Sequence, residues 1–298
     1  MIDYDSKNWF RHIAYFHKPD TLRLLLPEMI VVAVATAIMA YIRVRFFPTL
    51  DSKVLRDSTI LQSVMGFVLS LLLVFRTNTA YDRWWEGRKL WGALVNNSRT
   101  LAIKIYSLVP ESDVATREYF RLAISDFPYT LKEHLRHGVI ADELREPMIR
   151  ELVEMQGGGV HVPNRLVRDM YGRLKPLVDQ KIISGEEWII LDKQLVALID
   201  ILGACERILK TPIPFTYSIF LKKFIFFYII TLPLAFIGYF HYWAIPISVF
   251  SFYVLVSLEV IAEEIENPFG RDPNDLPLDR LADTIRGNVD EIFNKLEE

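Results

Sequence analysis

The sequence predicts an all-α membrane protein with four transmembrane helices and a large helical part in water. Of its 298 residues, 51% are hydrophobic but 24% are charged, so the apolar residues must be concentrated in segments. Several long stretches carry no charge, and the polar remainder shows apolar residues at the three- and four-residue spacings of amphipathic helices. No strand pattern with a period of two residues runs for any length.

The first transmembrane helix is expected at about residues 24–42, in an apolar stretch that ends before Arg43 and Arg45. Glu28 lies near the start of this stretch. Because an ionised acid deep in lipid is costly, we expect its side chain at the membrane interface or against protein.

The second helix is expected at about residues 58–76, where 18 uncharged and mainly apolar residues precede Arg76. Such a run forms a helix about 27 Å long, close to the roughly 30 Å hydrocarbon core of a bilayer. Charged residues then follow so densely that we expect the membrane-crossing helix to end there. These residues are Arg76, Asp82, Arg83, Glu86, Arg88 and Lys89.

One face of the second helix is less apolar than contact with lipid requires, because it carries Gln62, Ser63 and Ser70. A polar group that points at lipid without a partner is unfavourable. We therefore expect this face to pack on neighbouring helices or to line a path for water and ions.

An apolar stripe also runs along this helix, since Phe67, Leu71 and Phe75 recur every four residues. Any apolar helix offers such a stripe. Periodicity alone therefore favours ordinary packing over a special role.

The third and fourth helices are expected at about residues 222–240 and 243–262. The 35 residues from Phe224 to Leu258 contain no Asp, Glu, Lys or Arg, which is too long for one span and enough for two. Gly238 to Pro246 is the expected reversal, where four aromatic residues cluster as at a membrane interface.

Four spans place both termini and the long polar section, about residues 77–212, on one side of the membrane, together with a C-terminal segment, 263–298. Basic residues that follow the second span, with those of the N-terminus, indicate that this side is the cytoplasm. Arg43 and Arg45 in the opposite loop point the other way but are outnumbered. We therefore expect a multi-pass membrane protein with both termini in the cytoplasm.

The sequence contains none of the common catalytic motifs, such as a Walker loop, GxSxG, HExxH or CxxC, so we expect no catalytic residue and no enzyme. His134 and His137 with Glu133 resemble a pair of metal ligands, but without a third ligand nearby a solvated helix face is the better interpretation. Cys205 is the single cysteine and is expected to be buried and unreactive. The net charge of −3 gives no reason to expect nucleic acid as a partner.

Three motifs in the sequence resemble the bestrophin family in its bacterial form. They are FRTNTAYDRWWEGRKLWGALVNNSRTLA at residues 75–102, TPIPFTY at 211–217 and ENPFGRDPNDLPLD at 266–279. Their order, spacing and relation to the four expected spans match over nearly the whole chain.

The resemblance implies one bestrophin-type channel domain over residues 1–298, which forms a homopentameric ion channel around a central pore. In the family, three rings of apolar side chains form a narrow neck. Alignment on Arg83, Trp84 and Trp85 puts these rings on the stripe of Phe67, Leu71 and Phe75. The family also has a second, cytosolic constriction near residues 182–187, with Ile182, Ile183 and Glu186 as its candidates.

The C-terminal motif resembles the calcium clasp of animal bestrophins. Glu264, Asn267, Asp272 and Asp275 match its side-chain ligands, and such oxygens suit calcium. A cation and neutral residues, Arg271, Pro273 and Asn274, interrupt the acidic run that holds the ion in the animal proteins. The resemblance therefore requires no cofactor. Two interpretations of this motif stay open: it binds a divalent cation near Asp272 and Asp275, or it is a plain turn that ends a helix.

Ion selectivity does not follow from apolar rings, because they carry no charge. It depends on which of Arg76, Asp82, Arg83, Glu86 and Arg88 face water. Animal members conduct chloride and bacterial members are linked to cations, so the resemblance favours monovalent cations such as sodium. A chloride channel is the alternative, and a non-conducting membrane scaffold or a membrane-bound enzyme are the competing classes.

Overall fold

The computed structural model describes residues 21–47, 52–136, 143–147 and 161–294, and these ranges contain no β-strand. The all-α prediction is therefore confirmed for this part of the chain. Its helices are α1 (Thr21–Phe46), α2 (Ser52–Leu108), α3 (Val114–Arg136), α4 (Val162–Asp179), α5 (Gly185–Lys210), α6 (Phe215–Phe240), α7 (Ala244–Glu266) and α8 (Leu278–Phe293).

The chain divides into two compact units. The span unit comprises the described residues up to Arg83 together with Pro212–Asn267, and the core unit comprises those of Trp84–Thr211 and Pro268–Glu298. Helix α2 contributes its first part to the span unit and its second part to the core unit.

The span unit consists of α1, the first part of α2, α6 and α7. Thr21–Phe46, Asp57–Leu108 and Phe215–Glu266 are long and apolar enough to cross a bilayer. The last stretch is interrupted by a 3₁₀ turn at His241–Trp243, which separates α6 from α7 at the expected reversal. Leu69 and Leu73 of α2 pack with buried residues of α6 to form the apolar centre of this unit.

Helix α2 continues far beyond the point where the sequence predicted its end. The apolar stretch stops at Arg76, but the helix runs without interruption to Leu108. No proline or glycine follows Arg76 until Gly87, and the charged and polar residues between them are compatible with a helix. The step from apolar to charged residues at Arg76 therefore marks a change in the surroundings of the side chains. It does not mark the end of the helix.

The semi-polar face of α2 is satisfied in two ways. Gln62 packs against α6, where its Nε2 donates to the carbonyl of Tyr228 at 3.0 Å and its Oε1 accepts from the hydroxyl of Thr231 at 3.2 Å. Ser63 and Ser70 instead donate to carbonyl groups four residues back in α2 itself. The serine hydroxyls therefore need no partner from another helix, because a helical serine can satisfy its own hydroxyl.

The core unit has a hydrophobic interior built from the second part of α2 and from α3, α4, α5 and α8. Trp91, Phe120 and Phe127 are among its fully buried side chains. Cys205 is also buried there, as predicted, and burial raises the pKa of its thiol to about 12. The thiol is therefore protonated and unreactive at neutral pH.

Candidate functional site

The apolar stripe of α2 is exposed within a single chain. Phe67, Leu71 and Phe75 retain 72%, 48% and 58% of their accessible surface, whereas Leu69 and Leu73 on the opposite side of the helix are buried. The helix therefore packs on its own chain through the Leu69 face. The described residues do not cover the stripe, so packing among them does not explain it.

Arg76 follows the stripe directly and anchors this part of α2 to α7. Its side chain is buried, with Nε 3.4 Å from Oε2 of Glu259 and Nη1 2.7 Å from Oε2 of Glu266. The carboxylate of Glu266 also accepts the backbone N–H of Ile213 at 2.7 Å, and its main-chain carbonyl accepts from Nε of Arg83 at 2.9 Å. Arg76 and Arg83, two of the five charged residues on which ion selectivity was expected to depend, thus both bind to α7.

Asp82 is exposed and lies about two helical turns after Phe75, on the same face of α2. Glu86, one further turn along, pairs with Arg207 at 2.7 Å within the core unit. Arg88 is exposed but projects from a different face. Asp82 is therefore the first charged side chain that continues the direction of the stripe.

The three candidates for the second constriction lie where α4 is followed by α5. Ile182 and Glu186 are exposed, but Ile183 is buried in the hydrophobic interior of the core unit. Ser184 begins α5 with a capping box, since its side chain accepts from the backbone of Glu187 and the Glu187 side chain accepts from the backbone of Ser184. This cap fixes the start of α5 and the turn that presents Ile182.

The candidate divalent-ion ligands divide between the two units. Glu264 and Asn267 belong to the span unit, and Asp272 and Asp275 lie in the core unit before α8. The backbone N–H of Asp272 donates to Oδ2 of Asp275 at 2.6 Å, while the buried Oδ1 has no hydrogen-bond partner within the described residues. Burial raises the pKa of Asp275 to about 6, against the effect of that hydrogen bond.

A polar cavity of about 410 Å³ adjoins Asp272 and Asp275. Arg136 and Arg271 line the same cavity, together with the acids Glu133, Glu143 and Asp279. The two guanidinium groups reduce the negative field that a divalent cation needs, so this half of the clasp differs from a purely acidic one. The complete set of four ligands stays a prediction.

A second group of metal-ligand types lies in the core unit, where His134, His161 and Glu206 meet. Oε1 of Glu206 is 2.7 Å from Nε2 of each histidine, and its Oε2 is 3.1 Å from Nζ of Lys210. Partial burial opposes ionisation, but the hydrogen bonds from these three neighbours lower the pKa of Glu206 to about 2. His137, the partner that the sequence offered for His134, lies outside the described residues.

A third cluster contains three acids around one lysine. Nζ of Lys132 lies 2.8 Å from Asp279 Oδ1, 2.8 Å from Glu143 Oε2 and 3.2 Å from Glu133 Oε1. Lys132 is fully buried, and its ammonium group occupies the position that a cation would take among these carboxylates.

Comparison with known proteins places the chain in a family. A family model described as Bacterial/Fungal Bestrophin protein matches residues 1–291. A voltage-dependent anion channel-forming protein of Nostoc sp. is 41% identical over 240 residues, with 78% of this chain and 77% of that protein covered. The voltage-dependent anion channel-forming protein YneE of Escherichia coli K12 is 32% identical over 289 residues, with coverage of 96% and 91%.

The solved structures agree with the sequence relatives. A crystal structure of a point mutant of a bacterial bestrophin homologue from Klebsiella pneumoniae superposes with a TM-score of 0.80 at 26% identity, and covers 91% of this chain and 100% of that one. These matches indicate a channel rather than an enzyme. The chain therefore belongs to the bacterial and fungal bestrophin family of membrane ion channels.

Proposed function

We propose that the chain forms a homopentamer around one central pore and conducts monovalent ions. In this assembly Phe67, Leu71 and Phe75 of each copy form three apolar rings that make up the neck. The observation that carries the proposal is the exposure of this stripe on a helix whose opposite face, through Leu69 and Leu73, is packed on the same chain. Apolar rings in a narrow pore exclude water by dewetting, so a small movement of the helices is enough to gate the channel.

The proposed topology has four membrane spans, with both termini on the cytoplasmic side of a bacterial inner membrane. Residues 1–298 then form one channel domain. Helices α1, α2, α6 and α7 contain the proposed spans, at about residues 24–42, 58–76, 222–240 and 243–262. The section of about 77–212 and the segment 263–298 lie in the cytosol.

Exposed charge next to the neck supports a preference for cations such as sodium. Asp82 continues the face of the stripe and is exposed, whereas Arg76 is buried against Glu259 and Glu266. Five copies of Asp82 attract cations to the inner end of the neck. Arg83 lies beside Asp82 but donates to the carbonyl of Glu266.

Chloride is the second candidate for the conducted ion. The relatives from Nostoc sp. and Escherichia coli both carry the name of voltage-dependent anion channel-forming proteins. An anion preference requires basic residues in the vestibules, and exposed Arg88 and Lys89 are the nearest ones on α2.

The second constriction is proposed at Ile182. This side chain and that of Glu186 are exposed, while Ile183 contributes to the interior of the core unit. A ring of Ile182 side chains on the cytosolic path restricts hydrated ions by size.

A divalent cation is proposed to bind weakly near Asp272 and Asp275, which both lie in the core unit. The buried Oδ1 of Asp275, which has no hydrogen-bond partner within the described residues, supports a ligand at this position. Arg271 and Arg136 oppose it.

The decisive experiment measures the reversal potential of the purified protein in planar bilayers under a NaCl gradient. Reversal near the sodium potential supports the cation channel, and reversal near the chloride potential supports the alternative. Asp82→Asn is expected to shift the reversal potential away from sodium. If Asp82→Asn leaves the reversal potential unchanged, Asp82 does not select the ion.

Two triple variants test the neck. Replacing Phe67, Leu71 and Phe75 together by alanine is expected to raise the conductance, since shorter rings admit water. The matched control replaces two phenylalanines and one leucine that are equally exposed on α6, Phe226, Phe227 and Leu234, and its conductance is expected to equal that of the wild type. Equal conductance of both variants removes the neck assignment.

The absence of current from bilayers shown to contain the protein rejects the channel and favours the membrane scaffold. Native mass spectrometry of the detergent-solubilised protein tests the assembly separately. Five copies per particle support the proposed ring, and any other number rejects it.

A further inference from the structure

We propose that His134, His161 and Glu206 form a binding site for Zn²⁺ in the core unit. Their ligand atoms lie within 4.8 Å of one another. Two imidazoles and one carboxylate are the ligand set of several zinc sites that keep a fourth position for water. The family comparison assigns no function to these three residues, and the proposal is independent of ion conduction.

The three side chains come from separate elements of the core unit. His134 lies in the last turn of α3, His161 is the N-cap residue of α4, and Glu206 lies near the end of α5. A bound ion therefore links three helices that already pack on one another. Such a link reduces the separation of these helices in thermal fluctuations and stabilises the unit.

The positions of the ligand atoms suit a small ion after a modest adjustment. Each Nε2 is now 2.7 Å from Oε1 of Glu206. Zinc bonds of about 2.0–2.2 Å in a tetrahedron place neighbouring ligand atoms about 3.3–3.6 Å apart. Each Nε2 must therefore move away from Oε1 of Glu206 by less than about 1 Å, which rotation of partly exposed side chains allows.

Solvent and ions have access to the cluster. His134, His161 and Glu206 are all intermediate in exposure, so an ion can enter without unfolding and a water molecule can complete the coordination. Lys210 contacts Oε2 of Glu206. Its side chain is largely exposed and pairs across one helical turn, so it can move away when a divalent ion binds.

Metal binding requires one change in hydrogen bonding. Nδ1 of His161 accepts the backbone N–H of Asn164 at a long distance of 3.4 Å, so Nε2 carries the proton when this imidazole is neutral. A metal at Nε2 moves the proton to Nδ1 and removes this weak cap. Pro163 in the first turn of α4 lowers the number of N–H groups that need a cap.

The acidic cluster of Glu133, Glu143 and Asp279 meets the same distance condition but carries no such proposal. There the ammonium group of Lys132 lies within 3.2 Å of all three carboxylates. The histidine cluster has no cation between its ligand atoms in the part of the chain that the structure describes.

The test is a calorimetric titration of the full-length protein in detergent with ZnCl₂, after removal of metals by a chelator. The titration is done in excess Mg²⁺ and Ca²⁺, which occupy any site built from oxygen ligands alone before zinc is added. We expect one high-affinity zinc ion per chain. Glu206→Gln and His161→Gln are expected to weaken binding at least 10-fold to 100-fold, since even outer partners of a zinc site contribute that much.

Asp179→Asn is the matched control. Asp179 also pairs with a lysine four residues away, Lys175, and is exposed, so it reproduces the loss of one carboxylate and one ion pair without changing the cluster. Helix content by circular dichroism without metal shows that each variant is folded.

Cobalt gives a second readout that does not depend on heat. Co²⁺ in a tetrahedral site with nitrogen and oxygen ligands absorbs visible light, and this absorption is expected in the wild type and in Asp179→Asn but not in Glu206→Gln. The proposal is overturned if the wild type, Asp179→Asn and Glu206→Gln bind zinc equally well, or if none of them binds it. In the second case the cluster is a hydrogen-bonded contact only.

Discussion

The two units of the chain handle their apolar side chains in opposite ways. The core unit buries large residues such as Trp91, Phe120 and Phe127 completely within one chain, whereas the span unit leaves residues such as Phe67 and Phe226 mostly exposed. In water the second arrangement is unfavourable by about 25 cal/mol for each Å² of apolar surface. The span unit is therefore built for surroundings that the single chain does not supply, and lipid, other copies and a pore are the candidates.

The largest expected effect is the difference in stability loss when the same substitution, phenylalanine to alanine, is made in each of the two units. Phe127→Ala in the core unit removes a fully buried ring and is expected to lower the free energy of unfolding by about 3–5 kcal/mol. Phe67→Ala removes an exposed ring and is expected to change it by less than about 1 kcal/mol. Thermal unfolding in detergent, followed by circular dichroism, measures both. A large loss for Phe67→Ala would show that this ring is packed against another surface.

Inside the span unit, the buried arginine Arg76 is paired with the buried acid Glu259. Arg76→Met leaves Glu259 buried without its cation, and the expected loss is about 3–5 kcal/mol. Lys222→Met breaks an exposed pair with Glu263 in the same unit and is expected to cost about 0–1 kcal/mol.

A double variant distinguishes the loss of the ion pair from simple damage at Arg76. Adding Glu259→Leu to Arg76→Met removes the unpaired charge, so the double variant is expected to be more stable than Arg76→Met alone. Both are measured by the midpoint of thermal unfolding. If the second substitution destabilises further, the charge of Glu259 is not the cause of the loss.

Local patterns in the sequence predicted the features that depend on neighbouring residues. The apolar stretches, the reversal at His241–Trp243 and the burial of Cys205 agree with the structure. Each follows from composition or from spacing within a few turns. The continuation of α2 to Leu108 was missed, because a change from apolar to charged residues resembles a helix end although it marks only a change of solvent.

Contacts between distant residues were beyond the reach of sequence patterns. Arg76 pairs with Glu259, 183 positions away, and His134 meets Glu206, 72 positions away. The sequence offered His137 for His134 because helical spacing shows only neighbours on one helix. No spacing rule connects α3 to α5, so this cluster required the fold.

A smaller effect on stability is expected from substitutions at two glycines of the core unit, one tightly packed and one in open space. A Cβ atom at Gly87 would lie 3.1–3.3 Å from side-chain atoms of Pro268, Phe269 and Leu276. Gly87→Val is expected to cost about 1–3 kcal/mol by overpacking. At Gly203, where nothing lies within 4 Å, Gly203→Ala is expected to stabilise α5 by about 0.5–1 kcal/mol. Opposite shifts of the unfolding temperature check both, and a loss at Gly203 would indicate a contact outside the single chain.

The smallest expected effect concerns the charged surface of the core unit and depends on pH. Asp290 lies 2.6 Å from Nη1 of Arg121 and 2.7 Å from Nη1 of Arg145. Although partial burial opposes it, these hydrogen bonds lower the pKa of Asp290. A carboxyl group with a lowered pKa in the folded state stabilises the fold above its unfolded pKa of about 3.9, and this contribution is lost as the pH falls through the folded value.

Asp290→Asn is therefore expected to cost about 0.5–1 kcal/mol at pH 7 and progressively less below about pH 4. The unfolding temperatures of wild type and variant, measured from pH 7 to pH 3, should converge at the acid end. Asp179→Asn, which removes a largely exposed acid with one lysine partner, should show a smaller gap at pH 7. A gap for Asp290→Asn that stays constant with pH would mean that the residue contributes through packing and not through its charge.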